Sequence, residues 1–193
     1  MKLSAILSLT SVAAGATVRT RQTEAQRAVV DVAVERGPPQ QLASGILYGT
    51  PDTPDQIPDH FYTDINLQYF RAGGAQLFDV GYRGWHIGEY PGRFESTLSN
   101  YRTARKYGGE FQLLPHDIWG TDTASESANW PGDNGDWSDY ERFLDTLIAD
   151  IKANDMIEGL KWDTWNEPNL DIFWKRSLDQ WIELWKRTYD KLR

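Results

Sequence analysis

Apolar positions along the chain fall into two alternating kinds of block. Short runs with few charges occupy residues 42–48, 68–74, 111–115 and 160–165, and each is bounded by glycine, proline or a polar turn. Such runs predict strands of a parallel sheet, with the first buried on both faces. Between them the spacing changes to that of a helix. Phe94, Leu98 and Tyr101 recur every three to four residues before Gly108-Gly109, which predicts a helix that stops there. Tyr140, Phe143, Leu144, Leu147, Ile148 and Ile151 predict a second helix, and Leu178, Trp181, Ile182, Trp185 and Tyr189 a third. A short helix is expected over residues 59–67, after Pro58. Ser138…Glu141 and Ser177…Gln180 have the spacing of capping boxes, in which the serine hydroxyl and the longer side chain satisfy free amides. A further β-rich run lies at residues 28–34.

The resulting order is strand, helix, four times over. Alternation of this kind predicts an α/β fold with a parallel sheet and crossover helices. Sites in such folds lie at the C-terminal ends of the strands. The residues that close the four runs there are Tyr48, Arg71, His116 with Asp117, and Asn166 with Glu167. Trp119 and Trp165 stand beside the last two groups.

Composition narrows the function. The net charge is −8, without a stripe of Lys or Arg, which argues against nucleic acid as a partner and against a polybasic membrane anchor. No run is long and apolar enough to span a bilayer. There are no cysteines, so disulfides, thiolate metal sites and a cysteine nucleophile are excluded. His60, His86 and His116 are dispersed, without metal-ligand spacing, and no phosphate loop or Gly-x-Ser-x-Gly elbow occurs. No metal and no cofactor are expected. Lys2, the apolar stretch at residues 3–12 and Ala14-Gly15-Ala16 have the order of a secretory signal cleaved after Ala16. The expected organisation is a signal at 1–16, a leader with an N-terminal strand at 17–40, and a catalytic domain at 41–193 of a secreted protein.

One segment carries most of the chemistry. Trp165-Asn166-Glu167-Pro168-Asn169 follows a buried strand and sets one carboxylate beside an amide, between indoles and a proline. A carboxyl near apolar rings is desolvated and held protonated for acid duty, while a neutral Asn can bond a sugar hydroxyl. The bland reading of Glu167 is a helix-start glutamate stabilised by the dipole. For Arg71 it is a core ion pair, and for His116 a satisfied buried histidine. Trp85, His86, Trp130 and Trp137 lie in loops, where packing is favoured over a sugar-stacking wall.

The stretch from Trp165 to Asn169 resembles the acid/base motif of clan A glycoside hydrolases. With the segments at residues 69–74 and 114–117, the chain is similar to fungal glycoside hydrolase family 39-like enzymes from about Leu42 onward. The resemblance implies a (β/α)8 TIM barrel, of which this chain supplies the first four βα units, and hydrolysis with retention. It assigns Glu167 as acid/base, Asn166 to a substrate 2-hydroxyl and Arg71 to the site. The substrate would be an oligo- or polysaccharide. The family's nucleophile, a glutamate after a seventh strand, has no counterpart by Arg193, so the expectation is the N-terminal half of a barrel, inactive in this form. The alternative is a non-catalytic carbohydrate-binding or remnant barrel protein.

Overall fold

The computed structural model describes residues 31–193, apart from 32, 35–36, 39–41, 78, 122–123 and 125–126. The expected signal at 1–16 lies outside the described residues, as does most of the leader and N-terminal strand. Contacts divide the chain into two units, residues 1–39 and 40–193. In the first, the Ala33 amide donates to the Asp31 carboxylate at 3.0 Å. All the elements below belong to the second.

Four strands, β1 (Gly45–Ile46), β2 (Tyr69–Ala72), β3 (Glu110–Leu113) and β4 (Leu160–Trp162), form one sheet in the order β1-β2-β3-β4. Every pairing is parallel, with Phe70 opposite Phe111 and Leu113 opposite Trp162. Between them run α1 (His60–Thr63), a 3-10 turn at Trp85–Ile87, α2 (Tyr90–Lys106), α3 (Pro115–Trp119) and α4 (Ser138–Ala153); α5 (Leu178–Leu192) follows β4. The expected alternation is therefore present. Sequential order has a physical consequence. Crossovers between parallel neighbours share one hand, so a sheet that always steps the same way collects its helices on one face.

That face is the core. Phe70, Ala72, Phe111 and Leu113 point into a cluster with Phe94, Tyr101 and Ala104 of α2 and Phe143, Leu144, Leu147 and Ile151 of α4. The helical spacing of the α4 residues buries them together, as expected. The other face carries Tyr69, Glu110, Gln112 and Lys161, all exposed, and the half-buried Arg71. Period-two alternation in β2 and β3 divides the two faces.

Several boundaries differ from expectation, each for a local reason. β1 is two residues long, and Leu47 and Tyr48 are 69% and 58% exposed, so the first strand is not buried on both faces. It is an edge strand with one partner. The helix expected at 59–67 is a single turn, His60–Thr63, and Asn66, in a left-handed conformation (φ 48°), bars its extension to residue 67. His116, Asp117 and Trp119 lie not on the end of β3 but in α3, a turn opened by Pro115. The Ser138 capping box does not form. Ser138 is inside the helix, and its amide donates to Asp136 Oδ1 at 2.9 Å. Ser177 does cap α5, accepting from the Gln180 amide at 3.2 Å. The Gln180 side chain, however, donates to the Pro131 carbonyl at 2.8 Å. Finally, the apolar stripe of α5 is covered only in part. Leu184 and Thr188 are buried and Trp181 packs, partly buried, against the core, while Leu178, Ile182, Trp185 and Tyr189 are exposed.

Candidate active site

At the C-terminal ends of β2, β3 and β4 four polar side chains form one network. Arg71 Nε donates to Asp163 Oδ2 at 2.8 Å, and Arg71 Nη2 donates to Asn166 Oδ1 at 3.0 Å. Gln112 Nε2 donates to the same Asp163 oxygen at 3.0 Å. The register explains the meeting. Arg71 and Gln112 are paired across β2 and β3, and the Asp163 amide donates to the Leu113 carbonyl at 2.9 Å, extending the β3–β4 contact by one residue. The Gly49 amide donates to the Arg71 carbonyl at 3.0 Å, which brings the end of the Tyr48 segment beside β2.

The network fixes the orientation of Asn166. A guanidinium only donates, so the atom facing Arg71 is the amide oxygen. The Asn166 Nδ2 group is left to donate elsewhere. Next in the chain, Glu167 is exposed and has φ 32°, a left-handed conformation unusual for a side chain of its size. Its carbonyl accepts from the Leu170 amide at 2.9 Å, closing the turn that follows. The apolar cover expected around Glu167 is not present among the described residues: Glu167 is exposed, while the neighbouring Trp165 is buried.

Trp165 is buried, and its Nε1 donates to the Phe173 carbonyl at 2.9 Å. Its ring meets Trp174 edge-on at 5.2 Å and His116 at 4.6 Å between centroids. His116 is wholly buried, with Nδ1 3.2 Å from Asp117 Oδ1. Nε2 has no hydrogen-bond partner among the described residues. His116 and Asp117 are thus connected to the segment that carries Asn166 by the Trp165 ring contact, with no hydrogen bond to Arg71 among those described. Gly73, directly after β2, lets α3 come this close. A Cβ there would sit 2.5 Å from Asp117 Cβ and still nearer the Leu114 carbonyl. Behind α3, the buried Arg93 donates to the Asp117 carbonyl at 2.7 Å and to the Tyr82 carbonyl.

Trp119 does not join this group. It is completely buried between Tyr140 and Phe143, and its Nε1 donates to the Asn129 carbonyl at 3.0 Å. Trp130 is likewise buried, edge-on to Trp174 at 5.6 Å. Its loop is pinned to the stretch before α5 by Asp133, which receives Arg176 Nε at 2.6 Å and Nη2 at 2.7 Å. Burial pushes the Asp133 carboxyl up, but the hydrogen bonds from Arg176 and Gln180 outweigh it and hold the group below the ordinary carboxylate range. Packing is thus what Trp119 and Trp130 do in this chain.

Two members of the network, Asp163 and Gln112, are not among the strand-end residues picked out from the sequence. Gln112 has a legible signal, a polar residue alternating with Phe111 and Leu113. Asp163, one residue past β4, has only its place in Trp-Asp-Thr-Trp.

Among the described residues no group of three or more His, Asp or Glu could hold a metal ion. None of the described helices is long and apolar enough to cross a membrane. Comparison with protein-family models, with curated proteins and with solved structures found no match.

Proposed function

We propose that this chain carries the acid/base portion of a retaining glycoside hydrolase site, built on the first four units of a (β/α)8 barrel in a secreted protein. The observation that carries the reading is Asn166 anchored by Arg71 beside an exposed Glu167, at the C-terminal ends of β4 and β2, which flank β3 in one parallel sheet. Glu167 would protonate the leaving glycosidic oxygen and, in the second half-reaction, deprotonate the attacking water. Asn166, with its oxygen held by Arg71, would donate Nδ2 to a sugar hydroxyl. A pyranose lying over Glu167 would displace water and supply the desolvation that keeps a carboxyl protonated. Retention requires a second carboxylate about 5–5.5 Å from the first. Asp163 and Asp117 are engaged with Arg71 and His116, and neither is assigned that role.

This engagement favours a second reading, a carbohydrate-binding protein without turnover. The test compares the 193-residue chain with the product of any reading frame that continues past Arg193, each with and without Glu167→Gln, on aryl glycosides. The expected pattern is turnover by the longer chain alone. Glu167→Gln should reduce it about 10²–10⁴-fold for poor leaving groups. Oligosaccharide binding with no turnover by either chain would support the second reading. Full activity of the Gln variant on poor leaving groups would remove Glu167 from the acid role.

A further inference from the structure

The crossover from β1 to β2 leaves a cavity against α2. Pro51, Pro54 and Pro58 deny this segment backbone donors and keep it from winding into a helix, and α1 is a single turn. The segment instead arches over the flank of α2 and is tied down at both ends. At one end Asp52 Oδ1 accepts from Ser96 Oγ at 3.0 Å and from Asn100 Nδ2 at 2.9 Å. At the other, Lys106 Nζ donates to Asp55 and to Asp59 at 3.0 Å each, and the Tyr62 and Tyr107 rings stack at 4.3 Å. Under the arch lies a cavity of about 430 Å³, a size typical of small-ligand sites. Its walls are residues 51–57 with Tyr62 on one side and the helix flank within residues 95–107 on the other.

Charge is sorted along this cavity. Asp52 and Glu95 line the end nearer the start of α2, and Arg102 and Lys106 the end nearer its close. Lys106 is already engaged with Asp55 and Asp59. Glu95 and Arg102 have no ion-pair partner among the described residues. Burial pushes the Asp52 carboxyl up, the Ser96 hydrogen bond opposes the rise, and the negative charge of Glu95 adds to it. The acidic end thus pairs two carboxylates without a cation. Glu95 and Arg102 are two turns apart on one helix face, a separation of about 10 Å. Between them the lining is apolar at Ile57 and Leu98, while Gln56 and Thr103 offer hydrogen-bonding groups.

We propose that this cavity binds a short peptide by its free termini, with the α-ammonium at Asp52 and Glu95 and the α-carboxylate at Arg102. An extended chain advances about 3.3–3.6 Å per residue, so two or three residues span about 7–10 Å. A single amino acid is too short to reach both ends. An apolar side chain in the middle of the peptide would lie against Ile57 and Leu98, and Gln56 and Thr103 would bond its peptide groups. A neutral sugar would leave Glu95 and Arg102 without countercharges. The site is built from the flank of α2 rather than from the strand ends, and it does not rest on glycoside chemistry.

Titration of the tripeptide Ala-Leu-Ala into the 193-residue chain, followed by amide NMR, tests the proposal. Saturable shifts confined to residues 51–57 and α2 are expected. Acetylating the peptide amine or amidating its carboxylate should each weaken binding about two- to five-fold, the scale of an exposed ion pair. The two ends are then assigned by variants. Arg102→Gln should abolish the preference for a free carboxylate and keep the preference for a free amine. Glu95→Gln should reduce the amine preference and keep that for the carboxylate. Both side chains are exposed, so thermal midpoints should be unchanged. No saturable binding at millimolar peptide, equal affinity for free and blocked peptides, shifts that map outside the cavity, or terminus preferences untouched by the two variants would each overturn the proposal.

Discussion

Replacing Arg71 with Met would remove the cation that joins the ends of β2 and β4. The guanidinium donates to Asp163 at 2.8 Å and to Asn166 at 3.0 Å. The Arg71 and Asp163 side chains are 16% and 27% exposed. An exposed ion pair contributes about 0.2–1 kcal/mol, and stripping one partner from a fully buried pair costs about 3–5 kcal/mol. Partial exposure places Arg71→Met between these, at about 2 kcal/mol. Asp163→Asn keeps a hydrogen bond with Gln112 and should cost about 1 kcal/mol. Once Asp163 is neutral, losing Arg71 strands no charge, so the double variant should lose about 1 kcal/mol less than the sum. Arg71→Lys separates charge from shape. One ammonium cannot fork to both oxygens, so the Asn166 oxygen goes without its donor and the cost should fall near 1 kcal/mol. Urea unfolding, compared at constant m-value, measures all four variants. Additivity within about 0.3–0.5 kcal/mol would show that Arg71 and Asp163 are not energetically coupled, and the network would then be a juxtaposition without consequence.

Three further outcomes follow from the same structure. The Asp133 carboxyl is held below its ordinary 3.8, so its stabilising contribution is present above that value and lost as the pH falls through the folded pKa. Thermal midpoints should therefore drop more steeply below about pH 4 in the wild-type chain than in Asp133→Asn, and parallel curves would refute the clamp. Gly73→Ala should destabilise by about 1–3 kcal/mol, because the added Cβ meets the Leu114 carbonyl and Asp117 Cβ and α3 must move; an unchanged urea midpoint would show that α3 is not seated against β2. Trp165→Phe should cost about 1–3 kcal/mol and orphan the Phe173 carbonyl, while Trp165→Ala should cost about 3–5 kcal/mol; equal midpoints for the two would mean that the His116 and Trp174 ring packing contributes little.

By itself the sequence determined the class of fold and the order of its elements. Apolar spacing is a local property, and residues such as Phe111, Leu113, Phe143 and Leu147 announce by their period which side of a strand or helix is buried. The strand-end positions of Arg71, Asn166 and Glu167 follow from the same pattern. What the tertiary structure decided is which residues meet. Asp163 reaches Arg71 across 92 positions of chain, a pairing set by strand register that no local spacing encodes. It also decided how much of each element is covered. The stripe on α5 has the period of a buried face, yet of it only Trp181 packs against the core, while the buried residues are Leu184 and Thr188, the latter hydrogen-bonded to Tyr140 of α4 at 2.7 Å. Trp119 stands next to site residues in sequence, but one helical turn after β3 carries its ring into the core. Periodicity reports that a surface is apolar; only the neighbours present in three dimensions determine whether it is buried.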